Sequence, residues 1–500
     1  MSHLAILPVV LPMASAVVLL LLARRPLALQ RALSIIAAVA GLAIACTILA
    51  RAGDVPTVYR VGDWPAPAAI VLVADRLSAL MLVLTDIVAL GALVYACQGT
   101  DRRGSYFHGL FHLQLMGLHG AFLTGDLFNL FVFFEVLLIA SYCLLLYGGG
   151  SRRLRAGLHY VVLNLAGSSL FLIAMGVIYA VTGALNMAEL SVRVAALDPG
   201  DVALLRSAGL LLLVVFALKA AIAPLYVWLP GAYSAATGPV AALFAIMTKV
   251  GVYSIVRVYT LVFGADAGPA ADLALPWLLP AALLTQALGV AGALASRDLR
   301  RLQGYLLIAS VGVMLGGIGL FTEEGVAAGL YYMAHSTLAI AAMFLLADLI
   351  ARQRGATGAR LRQTGPVAQP AMLGALFFVG CIALVGLPPL SGFLGKALVL
   401  AAAPLDARGS WLWGVTLAAS LLSIVACSRA GSLIFWNTAE RTGAAPATRH
   451  AAWRTAPVVG LLGAVVLLSA LAGPAADYTR ATARQLVEPV DYVRTVLQTP

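Results

Sequence analysis

The chain has 500 residues and a formal net charge of +11, and 62% of its residues are hydrophobic against 11% charged. That balance excludes a soluble globular domain and fits a chain threaded repeatedly through a bilayer. The basic residues are scattered through short loops and form no stripe, which argues against a nucleic-acid groove.

A membrane span needs about 20 apolar residues. Fourteen stretches qualify, near 4–23, 31–50, 71–97, 106–124, 127–147, 157–182, 206–235, 238–263, 274–295, 299–320, 325–350, 369–402, 411–436 and 455–473. The first has no positive leader before it and is followed by Arg24 and Arg25, so it reads as a retained anchor. With the amino terminus outside, eighteen arginines between Arg24 and Arg454, among them Arg441 and Arg449, fall in inward loops. Six fall outward: Arg51, Arg60, Arg76, Arg193, Arg206 and Arg408. Positive loops stay inside, so both termini are expected outside. Arg480, Arg484 and Arg494 dissent only weakly, because they follow the last span. Only the tail after Gly473 is mainly polar, and no separate soluble domain is expected. The five cysteines, Cys46, Cys97, Cys143, Cys381 and Cys427, have no metal-type spacing and read as buried filler.

Ionisable residues inside the spans carry the functional argument, since a charge at that depth costs several kcal/mol. In chain order, Asp86 comes first and, like Asp348 later, is expected to line a polar interface. His108, His112 and His119 recur at +4 and +11 on one helix face. That pattern fits a structurally satisfied face, a proton wire or a metal site. In TGDLFNLFVFFEVLLIASY, Asp126 reads as a helix N-cap and Glu135 follows about 14 Å into the span. Glu135 is the only glutamate at membrane depth.

The stretch FALKAAIAPLYVWLP then places Lys219 five residues before Pro224. Of 32 basic residues 29 are arginine, and the three lysines, Lys219, Lys249 and Lys396, all lie within apolar spans. Lys219 lies about 18 Å past Ser207 and Lys249 about 16 Å past Gly238, near the middle of a roughly 30 Å core. Desolvation lets a buried lysine give up its proton near neutral pH, whereas arginine keeps its own. The lysines are therefore expected to carry protons, with Glu135 as a partner whose distance tunes their proton affinity. Pro224 is expected to free the carbonyl of Ala220 beside Lys219. His335, alone at depth in YYMAHSTLAIAAMFLL, is a candidate relay. GLPPLSGFLGKALVL repeats the break with Pro388, Pro389 and then Lys396. Two interrupted spans in the two halves of one chain suggest inverted repeats with sites near the midplane. Arg257 and Arg429 lie toward helix ends and are expected to snorkel.

With these motifs in hand, the chain resembles the antiporter-like subunits of multi-subunit, Mrp-type Na+/H+ antiporters, the D subunit above all. That family is related to the proton-pumping subunits of NADH:quinone oxidoreductase. GAFLTGDLFNLFVFFEVLLIASY, PLYVWLPGAYSAATGPVAALFAIMTKVGVYSIVRV and GLPPLSGFLGK carry the resemblance, from the third span to the thirteenth. It implies an all-α polytopic membrane protein of about fourteen helices with two inverted five-helix repeats, each holding a broken helix. The implied division is 1–105 for the first three helices, 106–263 and 274–436 for the repeats, and 437–500 for the last helix and tail. It matches the family's essential glutamate to Glu135 and its lysines to Lys219, Lys249 and Lys396. Ile340 stands where the family typically has another lysine. It also implies an inner-membrane protein that works with other membrane subunits in a hetero-oligomer, without cofactor, metal or nucleic acid.

The leading expectation is a secondary-transporter component, not an enzyme, coupling proton entry to Na+ or K+ efflux. The alternatives are a proton-pumping subunit of a redox-driven NADH:quinone oxidoreductase-like or membrane hydrogenase complex, and a non-conducting scaffold subunit. Gly231 in WLPGAY favours the first, because the resemblance places aspartate there more often in respiratory relatives.

Overall fold

The structure, a computed structural model, describes residues 2–64, 70–438 and 452–497. Arg441 and Arg449, with the rest of residues 439–451 between the thirteenth apolar segment and the last, lie outside the described residues. In order the elements are α1 (Leu7–Leu21), α2 (Leu27–Arg51), β1 (Thr57–Arg60), β2 (Val71–Ala74), α3 (Arg76–Ala96), α4 (Phe107–Leu123), α5 (Leu127–Leu146), α6 (Ser151–Thr182), α7 (Met187–Ala195), α8 (Val202–Ala220) and α9 (Trp228–Ala235). There follow α10 (Gly238–Leu261), α11 (Leu275–Ala295), α12 (Leu299–Ile318), α13 (Glu323–Gln353), α14 (Pro370–Val385), α15 (Ser391–Ala401), α16 (Ala407–Gly431), α17 (Ala456–Ala470), α18 (Ala472–Val487) and α19 (Val490–Leu497). Each of the fourteen apolar stretches contains helix. Among the described residues, eleven helices are long and apolar enough to cross a membrane by length and composition.

Several details differ from expectation, two of them in the secondary structure. The helical fold carries one short hairpin, because residues 71–74 do not extend α3 but pair antiparallel with β1. The reason is Asp75, whose carboxylate accepts from the Ser78 N–H at 2.9 Å while Ser78 Oγ accepts from the Asp75 N–H, a reciprocal cap that starts the helix at Arg76. The polar tail is also ordered. It folds into α18 and α19, which turn Thr479, Thr482, Ala483 and Leu486 inward and pack α18 against α13. Arg484 pairs with Glu323 and Tyr478 bonds the Arg76 carbonyl. Both chain ends gather at the hairpin: His3 packs on Tyr59, and Arg60 bonds the Val496 carbonyl.

The core lies along α10 and α13. All 24 residues of α10 are buried, and α13 is packed by α10, α12, α14, α15, α17 and α18. The outermost helices reverse this: α6 exposes Leu158, Val162 and Leu165, and α16 exposes Leu417, Leu421 and Val425. Apolar stripes at that spacing suit a lipid-facing surface.

Similar local structures occur twice. Asp126 caps α5 and Asp298 caps α12 with side-chain bonds to backbone N–H groups. Asp126 then bridges Asn186, and Asp298 bridges Arg360. Gly120 makes room for the Phe133 ring as Gly292 does for Tyr305, letting α4 meet α5 and α11 meet α12 closely. Both breaks end their helix in one way. Ala221 and Gly386 take left-handed conformations with φ of 59° and 82°. Ile222 N–H returns to the Ala217 carbonyl at 2.9 Å and Leu387 N–H to the Ile382 carbonyl at 3.0 Å. The first helix thus stops at Ala220, before Pro224 is reached, and is not kinked at the proline.

Buried charge is paired where it is structural. Arg257 does not snorkel: it is 3% exposed and meets Asp75 at 2.6 Å, with the Tyr492 ring of α19 beside it. Asp348 joins three helices, accepting from Arg300, from Arg352 at 2.7 Å and from the Tyr95 hydroxyl at 2.8 Å. Arg429 bonds the Ser296 carbonyl from an exposed position. Cys46 and Cys143 are exposed, not buried filler, while Cys381 and Cys427 are buried.

Candidate functional site

The clearest cluster joins α5, α6 and α8. Asp126 starts α5 so that Glu135 falls on its α6-facing side, where the carboxylate receives a short hydrogen bond from Ser168 Oγ. Lys219 comes from the last turn of α8, 5% exposed, and its ammonium lies 3.3 Å from the same Ser168 Oγ. It also reaches the Asn164 carbonyl at 3.2 Å and the Asn164 side-chain oxygen at 3.5 Å. The expected pairing of Glu135 with a lysine therefore runs through a serine. A hydroxyl can donate to the carboxylate while accepting from the ammonium, so it can link the two groups.

Asn164 and Ser168 sit one turn apart on α6, and Gly167 between them leaves room for the Leu218 side chain beside Lys219. The sequence offered no signal for either, because small polar residues are ordinary in membrane helices. The expected carbonyl donor is also different. Lys219 takes the carbonyl of α6, while the broken end of α8 is closed by others: Trp228 Nε1 donates to the Leu218 carbonyl at 3.0 Å, and Ala223 N–H donates to Thr285 Oγ1 of α11 at 2.9 Å.

The other two lysines are not brought to Glu135. Lys249 lies at the centre of α10 with no exposed surface, and its ammonium has no hydrogen-bond partner among the described residues. Lys396 is on α15, past the second break, and turns back across it, donating to the Val385 carbonyl at 2.7 Å and to Ser420 Oγ of α16 at 2.8 Å. Here the lysine does bond a carbonyl released at a helix end, as expected near a break. Gly386 is needed twice over: its φ is left-handed, and a Cβ there would stand 2.9 Å from Lys396 Cδ. His335 on α13 faces the same break. Its Nδ1 is 2.9 Å from Ser391 Oγ at the start of α15, and its Nε2 points at Gly392, beside the Ala383 carbonyl.

The three histidines of α4 do not converge. His108 faces Asp101, His112 faces Ser34 and His119 faces Asp86, which removes the three-histidine metal reading. Among the described residues one group, Cys97, Asp101 and His108, brings possible ligand atoms within 4.8 Å. Arg31 occupies both Asp101 oxygens at 2.6 and 2.8 Å, and its positive charge would repel a cation.

Residues 124–423, which contain the Glu135, Lys219, Lys249 and Lys396 positions, match the family model described as NADH:quinone oxidoreductase/Mrp antiporter, transmembrane. The chain belongs to this family. It is a multi-pass membrane protein. It is 42% identical to the D subunit of a probable K+/H+ antiporter of Rhizobium meliloti, covering 100% of this chain and 98% of that one. It is 38% identical to the D subunit of a Na+/H+ antiporter of Alkalihalophilus pseudofirmus, over the whole of both chains. Among solved structures, a chain of the Mrp complex from a Dietzia species superposes over the full length of both at a TM-score of 0.89 and 28% identity. The similarity to D subunits that the motifs implied thus extends over the whole chain.

Proposed function

We propose that this chain is the D subunit of a multi-component monovalent cation/proton antiporter and carries protons in exchange for Na+ or K+ efflux. The observation that carries the reading is the hydrogen-bonded line Glu135–Ser168–Lys219, an acid, a hydroxyl and an amine within an apolar helix bundle. Arg257 is paired directly with Asp75; this lysine is held at one hydroxyl's remove from its acid. That separation suits a proton that must move.

In this reading the fourteen apolar stretches cross the membrane with both termini outside, and 106–263 and 274–436 form two inverted repeats. The twice-used caps, bridges and left-handed breaks support that division. Lys249, fully buried between the halves, and His335 with Ser391 lead toward Lys396 and Ser420. The chain works with other membrane subunits, and both potassium and sodium remain open as cargo, since the relatives' names carry one each. The reading is tested in proteoliposomes of the assembled complex, by the collapse of an imposed pH gradient on adding Na+ or K+. Glu135→Gln keeps the side chain's shape and removes its charge, so loss of cation-dependent proton movement is expected; unchanged transport would remove Glu135 from the path.

A further inference from the structure

A second line of buried titratable groups runs along the other side of α4, away from Glu135. Its deep end depends on a proline. Pro12 lies inside α1 and has no N–H, so the Pro8 carbonyl four residues earlier has no helical donor. His119 Nδ1 lies 2.7 Å from that carbonyl. A carbonyl only accepts, so Nδ1 carries its hydrogen in every protonation state of the ring. This fixes Nε2 as the nitrogen facing Asp86 Oδ1, 3.2 Å away, with both side chains 2% exposed. A bare imidazole lone pair against a carboxylate at that distance is repulsive, and one shared proton removes the repulsion.

Toward the opposite end of α4, His112 Nε2 lies 3.0 Å from Ser34 Oγ of α2, and its Nδ1 has no partner among the described residues. One turn further, His108 Nε2 lies 3.4 Å from Asp101. Burial would raise the Asp101 carboxyl, but the His108 and Arg31 contacts outweigh it and hold the group below the usual carboxylate range. Asp101 is therefore a fixed negative charge at the mouth of the line. The packed elements add few other charges. Helix α1 carries no titratable side chain, α2 brings Arg31, α3 brings Asp86, and α5 turns Glu135 toward α6. Helix α10 meets α4 through Tyr253, which bonds the Phe122 carbonyl.

We propose that the His119–Asp86 pair is a second proton-binding site, reached along α4 through His108 and His112 and separate from the Glu135–Ser168–Lys219 line. When loaded, the site shares one proton across the Nε2···Oδ1 contact, where His119 Nε2 has no other hydrogen-bond partner among the described residues. The rise along α4 is about 6 Å from His108 to His112 and about 10 Å from His112 to His119. Both steps exceed one hydrogen bond of about 3 Å: the shorter requires a bridging water and the longer a chain of waters.

The test uses the assembled complex with the full chain, and has two arms. In pH-difference infrared spectra between about pH 5 and about pH 9, the wild type is expected to show carboxyl and imidazole bands that disappear in Asp86→Asn. That arm does not depend on the antiport reading. In proteoliposomes, which do, Asp86→Asn is expected to slow cation-driven proton movement by about tenfold or more. The double variant Asp86→Asn, His119→Asn restores a neutral, hydrogen-bonded pair and is expected to stay slow. A double variant with wild-type turnover, or a wild type without a pH-dependent band lost in Asp86→Asn, would overturn the proposal.

Discussion

Ser168 is the residue on which the account turns most sharply, because among the described residues it alone hydrogen-bonds both Glu135 and Lys219. Ser168→Ala leaves a methyl where the bridge was, and transport is expected to fall by about ten- to a hundredfold while native gels still show the assembled complex. Glu135→Asp, one methylene short of the hydroxyl, is expected to retain partial activity where Glu135→Gln retains none; equal loss in both would point to packing. Lys249→Arg keeps the charge but cannot release its proton, so it is expected to inactivate transport as fully as Lys249→Ala in vesicles whose assembly has been checked. The lysines were legible in the sequence because a chain that uses arginine for every loop keeps lysine for the membrane. Glu135 was legible as a lone acid at depth. Ser168, Asn164 and Ser391 were not, since nothing local separates a bridging serine from one bonded to its own helix. Arg257 was misread for a related reason: its partner Asp75 is far away in sequence, and distance along the helix says nothing about who waits at its end.

At the scale of elements, the two breaks make a pair of opposite predictions. Ala221 holds a left-handed φ that glycine adopts without strain, so Ala221→Gly is expected to be tolerated or to stabilise by about 1 kcal/mol. Gly386→Ala introduces that strain and sets a Cβ against Lys396 Cδ, so it is expected to lower the unfolding temperature in detergent and to reduce transport. A Gly386→Ala protein as stable and active as the wild type would mean that Lys396 does not need its bond to Val385. The breaks themselves were visible as prolines. Their geometry was not, because the helices end several residues before the prolines, at positions set by the return bonds to Ala217 and Ile382. The hairpin and the two tail helices were missed because short strands and amphipathic helices give weak signals beside so much apolar sequence.

Across the whole molecule, under the proposed division into two repeats, local backbone devices recur and the charges do not. Nine residues past the caps, Glu135 in the first half answers to Leu307 in the second; two residues before the left-handed turns, Lys219 answers to Leu384; ten residues after them, Gly231 answers to Lys396. On the proposed function the two halves therefore cannot carry protons by the same steps. What joins them is the packing of the wholly buried α10 against the largely buried α13; a separate clasp of Asp75, Arg257 and Tyr492 ties the end of α10 to the start of α3 and to α19. Asp75→Asn leaves the Arg257 charge buried and is expected to cost about 3–5 kcal/mol, read as a lower unfolding temperature of the purified complex.

The central claim is that Lys219 moves a proton and does not merely supply charge to Glu135 through Ser168. The most direct measurement is cation-driven proton movement in proteoliposomes of the assembled complex carrying Lys219→Arg. Arginine keeps the positive charge and can still bond Ser168 and the Asn164 carbonyl, but holds its proton at every accessible pH. The account predicts activity as low as that of Lys219→Ala; substantial transport by an assembled Lys219→Arg complex would contradict it.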